Sequence, residues 1–542
     1  MKANLVNIFE KSIYEAEIHL ENGRIGKIEI LGPENAALPY ILPGFTDAHV
    51  HIESSMLTPA QFARLAVVHG TVATVSDPHE IGNVLGVSGV EFMVEDGKRV
   101  PFKFCFGAPS CVPATAFETA GAEISAEEVG ALLARNEIGY LAEVMNFPGV
   151  LNEDPDMMAK IKWAKHYNKV IDGHAPGLRG EAARKYAMNG ISTDHECFTY
   201  EEAKEKIGYD VKILIREGSA ARNFDALIPL IDEFPEMIMF CSDDKHPDNL
   251  VEGHINLLVR RALGLGYDIW NILQAACVNP VLHYTLPVGL LRVNDPADFI
   301  VVNNLRDFTI LQTWINGQVV AENGTSLLPD LRSEHPNKFN CAPKFPQDFQ
   351  CTVENLNADI RVIEALEGQL ITNQLARSAK HDGKFLLADP DSDILKITVI
   401  NRYENAVPAV AFIKNFGLKS GAMASSVGHD SHNIIAVGCD DESICHAVNL
   451  IIEAKGGVSA VGKGEKHLLP LPVAGLMSDL DGYEVAKSYT AVDLFVKDKL
   501  GSTLQSPFMT LSFMALLVIP DLKLSDKGLF DGKSFDFVPL NI

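Results

Sequence analysis

Four histidines and two carboxylates have the types and spacing to hold metal ions: His49, His51, His174 and His195, with Glu143 and Asp243. His49 and His51 stand two apart at the end of the apolar stretch ILPGFTDAHVH, and side chains two apart on a strand leave the same face. One cation can lie between them. The other four residues fall at or near the ends of separate apolar runs, in YLAEVMN, KVIDGHAPG, ISTDHECF and MIMFCSDDKHP. Four imidazoles and two carboxylates suffice for two divalent cations, one carboxylate bridging them and positions remaining for water. Nitrogen and oxygen donors without sulfur suit Mn2+, Fe2+ or Zn2+ in a catalytic site better than a structural zinc cage. Taken singly, a buried histidine is more often a hydrogen-bonded core residue and a buried glutamate an ion-pair partner. Six together resist that account, since each unpaired buried polar group costs roughly 1–3 kcal/mol.

The elements that must position these residues are repeated. Eight apolar runs lie at 41–51, 70–80, 103–113, 140–146, 169–177, 191–198, 211–223 and 237–247, separated by stretches with helical spacing at 125–136, 154–167, 180–190 and 223–234. Strand and helix alternating eight times predicts an α/β fold, a (β/α)8 TIM-type barrel over 41–284 whose active groups collect at the C-terminal strand ends. Residues 1–40 alternate apolar and polar positions around a tight-turn signal at Asn22-Gly23, and 285–335 returns to the same alternation. These two flanks are expected to join in one small composite β-domain. Residues 325–345, rich in proline and polar residues, read as a linker, and 345–542 as a C-terminal α+β domain.

Composition narrows the function. At 542 residues the chain exceeds one core, and 47% hydrophobic with 22% charged residues is ordinary for a globular enzyme. A net charge of -25 without a basic run excludes nucleic acid as the expected partner and points to a small molecule. Nine cysteines without a CxxC pair fit a reducing cytoplasm, and neither a signal peptide nor a membrane span is expected. The apolar run FMALLVIPDL (513–522) is too short to cross a bilayer and reads as core. The GxSxG elbow, the phosphate-cradling glycine loop and the HxE…PCxxC pattern of the cytidine-deaminase-type zinc enzymes are all missing.

PGFTDAHVHIESS, with His174, His195 and Asp243 on later strands, resembles the amidohydrolase superfamily. SDPHEIGNV, REGSAARN and SDDKHP, and the C-terminal AMASSVGHDSHNIIAVG and LPLPVAGLMSD, resemble its bacterial adenine deaminases nearly end to end. Many superfamily members bridge two metals with a carboxylated lysine, whereas this chain has Glu143, which can bridge unmodified. The resemblance implies two divalent cations, Mn2+ or Fe2+ with Zn2+ as a further choice, and hydroxide attack at C6 of adenine to give hypoxanthine and ammonia. Asp243 is then the base, and His79 and Glu80 of SDPHE are preferred as acids for a ring nitrogen. For that pair the structural alternative is a helix cap or first turn. Glu53, Arg216, Glu217 and Ser219 are candidate substrate contacts, Arg216 equally a structural ion-pair partner. His429 and His432 of GHDSH are further candidate substrate contacts: the turn either lies over the barrel mouth, touching substrate or a further metal, or is a solvated turn. The implied partner is a purine base, with a homo-oligomer as the expected assembly. The alternatives are another cyclic amidohydrolase, dihydroorotase- or hydantoinase-like, or a non-catalytic barrel that only binds.

Overall fold

Eight short parallel strands form the barrel: β1 (Phe45–Val50), β2 (Thr71–Ser76), β3 (Lys103–Ala108), β4 (Ile138–Val144), β5 (Val170–Gly173), β6 (Thr193–Asp194), β7 (Lys212–Arg216) and β8 (Ile238–Cys241). The structure is a computed structural model and describes residues 1–353, 355 and 358–542. Each expected apolar run coincides with one of these strands, β4 beginning two residues ahead of its run at 140–146. β1 to β5 pair in order, as do β6 to β8. The ring closes where Asp243 N donates to His49 O (2.9 Å). Most strand residues are buried, the reason these segments read as continuous Val, Ile and Phe runs.

The crossover helices carry their signals in sequence. Ala126–Leu133 starts with a capping box, Ser125 Oγ accepting from Glu128 N (3.3 Å) while Glu128 Oε2 accepts from Ser125 N (2.8 Å). Asp154 caps Pro155–His166 through Met157 N (3.0 Å). The stretch at 223–234, expected as one helix, is two short ones, Phe224–Leu227 and Leu230–Glu233. Pro229 stands between them and has no N–H to continue the ladder.

The two flanks of the barrel share an eight-stranded sheet, joined where Tyr40–Pro43 runs antiparallel to Phe299–Val302. Asn22 and Gly23 turn between Ser12–Glu21 and Arg24–Pro33 with φ of 51° and 78°, the left-handed pair a tight hairpin needs. Residues 327–345 hold neither helix nor strand but are strapped to the barrel, Gln61 Nε2 donating to Asp330 Oδ1 (2.7 Å) and Arg99 Nη1 to Ser333 Oγ (3.0 Å). The C-terminal region is a second eight-stranded, mostly antiparallel sheet, packed against the helix Asp441–Ala454. One continuous apolar core runs from the barrel into this region.

Candidate active site

All six expected ligands meet at the C-terminal mouth of the barrel, buried. His49 Nε2 and His51 Nε2 are 3.2 Å apart, and Asp243 Oδ1 lies 3.6 and 3.3 Å from them. Glu143 is central. Its Oε1 faces His51 Nε2 (3.3 Å), and its Oε2 faces His174 Nδ1 (2.7 Å) and His195 Nε2 (3.2 Å). The two oxygens of one carboxylate thus address two different sets of imidazoles.

The donor set fits two cations. Ring nitrogens of His49 and His51, and of His174 and His195 (3.3 Å), face each other in pairs, where one cation shared between two lone pairs is the natural occupant. Burial, with His195 and His51 nearby, keeps the pKa of His49 well below its usual value, so it stays in the neutral, ligating form. For His195 burial works against protonation, but Glu143 and then Asp243 outweigh it and lift the pKa to about 9. Glu143 shows the converse: burial disfavours its charge, yet His174 and His195 hold it well below the carboxylate range. The charge held there by protons is charge that metal binding would replace.

Around the cluster lies a cavity lined also by His79, Glu80, Glu196, Arg216, Asp244 and His429. His79 and Glu80 occupy the first turn of the helix His79–Leu85, so the first-turn position and the cavity position are the same place. Arg216 is fully buried and donates to Glu196 Oε2 (2.9 Å) and Asp243 Oδ2 (2.5 Å). The turn at 428–432 is buried over the barrel mouth, with His429 and His432 against the two oxygens of Glu80. Four expected contacts are not brought to the cavity: His432 is fully buried behind Glu80, and Glu53, Glu217 and Ser219 are engaged elsewhere. Ser219 Oγ donates to Asn249 Oδ1 (2.6 Å), and Glu217 pairs with Arg261 (3.0 Å). Glu53 sits behind the wall, accepting from Ile81 N (3.2 Å), its pKa raised to about 7 by burial and Glu80.

Residues 40–320 match the model described as the amidohydrolase family, and residues 369–536 the adenine deaminase C-terminal domain. Relatives named adenine deaminase include one from Sulfurovum sp., 56% identical and covering 99% of both chains. One from Salinibacter ruber is 54% identical over 98% of this chain and 97% of its own length. A third, from Methanosarcina mazei, is 54% identical over 99% of this chain and 98% of its own.

The chain belongs to the adenine deaminase family. Its amidohydrolase barrel implies a divalent-metal site, and the cluster above fits one. The C-terminal domain that marks the adenine deaminase family does more here than flank the barrel, because Leu370, Phe513, Leu516 and Val518 form an apolar wall of the cavity. FMALLVIPDL, expected as plain core, thus contributes to the site. Asp77, 3.3 Å from His79, was not singled out from SDPHE, although its place before a strand-end proline and histidine was the available signal.

Lys523 anchors that wall. It is fully buried, and its Nζ donates to Leu370 O (2.6 Å) and Phe513 O (2.9 Å). Burial lowers its pKa from 10.5 to about 7. The unfolded chain therefore binds more protons than the folded one between about pH 7 and 10.5, and stability should rise with pH through that window. Urea midpoints of the wild type are expected to climb from pH 7 to 10 relative to Lys523→Met. Parallel pH profiles for the two proteins would show that Lys523 does not carry the dependence.

Proposed function

We propose that the chain hydrolyses adenine at C6, releasing ammonia and leaving hypoxanthine, with two divalent cations, Mn2+ foremost, held by His49, His51, Glu143, His174, His195 and Asp243. The observation that carries this reading is Glu143 facing one histidine set with each oxygen, with Asp243 beside it. Bound there, the cations acidify water toward neutrality and supply a nucleophile at neutral pH. Asp243 Oδ1 is placed to accept the proton of the attacking water and return it to the departing amine, while Arg216 fixes Oδ2. His79 is placed to protonate a ring nitrogen as C6 becomes tetrahedral: burial opposes its charge, but Asp77 outweighs that and holds its pKa well above the usual value. Glu80 takes a different part from the one expected. Burial disfavours its ionisation, yet His429 and His432 keep it well below the carboxylate range, and an ionised carboxylate has no proton to give. Met145, Leu370 and Phe513 offer apolar surface to a flat ring.

The same reading takes the free purine base as substrate, in purine salvage, in a cytoplasmic homo-oligomer. Among the described residues no helix is long and apolar enough to cross a membrane. The test is ammonia release, after loading with Mn2+, from adenine, adenosine and cytosine, alongside ring opening of dihydroorotate. Turnover of adenine alone is the expected result. Ring opening without deamination would move the chain to the cyclic-amide alternative, and inertness with fewer than one metal per chain would leave only the binding reading.

A further inference from the structure

Six lysines are buried among the described residues, and five of them have partners that account for it. Lys160, Lys206, Lys344, Lys396 and Lys523 each donate to a carbonyl or carboxylate oxygen of the protein. Lys245 is the exception. It is 6% exposed, yet its ammonium has no hydrogen bond or ion pair among the described residues. Burying a cation is costly unless something compensates it, so a buried ammonium without a protein partner points to a partner from outside.

Lys245 lines a cavity of about 150 Å³ between the segments that follow β7 and β8, walled on one side by Leu257 and Leu258 of the helix Ile255–Gly264. None of its lining residues lines the cavity over the metal-ligand cluster. The ammonium is not sealed from solvent, and this cavity is the opening onto which Lys245 gives.

Two more donors face the same space. Arg222 gives Nε to Gly218 O (3.0 Å), and its two terminal nitrogens are unengaged among the described residues. Asn249 Oδ1 accepts from Ser219 Oγ (2.6 Å), which leaves the amide nitrogen of Asn249 as a donor without an acceptor. The carboxylates lining the cavity do not answer these groups. Glu217 is held by Arg261 (3.0 Å), which is also bound to Asp225 (2.6 Å), while Glu252 is exposed and pairs with neither cation.

We propose that Lys245, Arg222 and Asn249 bind a phosphate group, free or carried by a nucleotide, at a site separate from the metal centre. The space exceeds what a halide needs, and a guanidinium fork beside an ammonium matches the oxygens of a tetrahedral oxyanion. The two segments it joins are already tied, Ser219 N donating to Asp244 O (2.8 Å) and His246 N to Ser219 Oγ (2.9 Å). Phosphate held across them stiffens the chain where it leaves the barrel at Arg216 and Asp243. The site does not depend on which ring the metal centre hydrolyses.

The test is isothermal titration calorimetry of the full-length, metal-loaded chain, freed of excess metal, in phosphate-free buffer. Saturable binding of inorganic phosphate is expected for the wild type, and binding weaker by about tenfold or more for both Lys245→Met and Arg222→Gln. Adenosine 5′-monophosphate that binds more tightly than phosphate, and is weakened by the same substitutions, identifies a nucleotide as the source; binding no tighter identifies free phosphate. A wild type that binds no phosphate overturns the proposal. So does phosphate binding that persists in both variants, as it would for an anion seated on the metals. Arg222 is exposed, so its replacement leaves the core intact. Lys245→Met keeps the apolar stem and removes an uncompensated charge, so in phosphate-free buffer it is expected to melt at or above the wild-type temperature. A lower melting temperature would reveal a partner for Lys245 within the protein and count against the site.

Discussion

Replacing Asp243 by asparagine is expected to lower kcat by about 10^2- to 10^4-fold, the range for losing a positioned general base, while the Mn2+ content stays close to that of the wild type. The substitution is clean for a reason visible in the backbone. Asp243 has φ of 53°, in the left-handed region that asparagine tolerates better than almost any other residue except glycine, so the strand end need not rearrange. Asparagine also keeps an oxygen for ligation or for the guanidinium of Arg216. What it loses is the capacity to take a proton from water and return it to the amine. Steady-state kinetics with ammonia detection, run beside metal analysis, separates the two functions of the residue. A variant near the wild-type rate refutes the base assignment; one that has lost its metals shows that ligation dominates.

Why some of the site was readable from sequence and some was not follows from the range of the forces involved. His49 and His51 were legible because strand periodicity alone puts them on one face, and the remaining ligands because each falls at the C-terminal end of a barrel strand or just beyond it. The same alternation explains the miss at Glu217. Arg216 is the last residue of β7 and points into the barrel, so its neighbour must point out, where it meets Arg261. Ser219 lies beyond the strand in a bend whose direction depends on Asn249, 30 residues away. The place of GHDSH could not be read locally. A polar turn looks alike in sequence whether it faces water or Glu80, and the difference is made by docking of the apolar wall at Leu370 and Phe513–Val518. The left-handed conformation of Asp243 was equally hidden, being imposed by the closure of β8 onto β1.

Arg216→Met should produce the second large effect, on stability as well as rate. The guanidinium is fully buried between Glu196 and Asp243, with its backbone N–H held by Asn223 Oδ1 (2.8 Å). Methionine fills similar space but leaves two buried carboxylates without their guanidinium partner, and removing one partner of a buried pair costs roughly 3–5 kcal/mol. The denaturation midpoint of the metal-free protein is expected to fall accordingly. Adding Glu196→Gln in the same chain should recover much of it, because the charge left unpaired is then gone, and a double-mutant cycle isolates the coupling. Metal should change the balance. With cations bound, Asp243 keeps a positive neighbour while Glu196 does not, so the penalty of Arg216→Met should shrink on loading with Mn2+ without vanishing. If Arg216 instead served chiefly to bind the purine, the double variant would keep its stability and kcat and lose only KM. A fall in kcat that Glu196→Gln does not restore, at nearly constant KM, is the expected pattern for a guanidinium whose work is to hold Asp243 in line with the water it deprotonates.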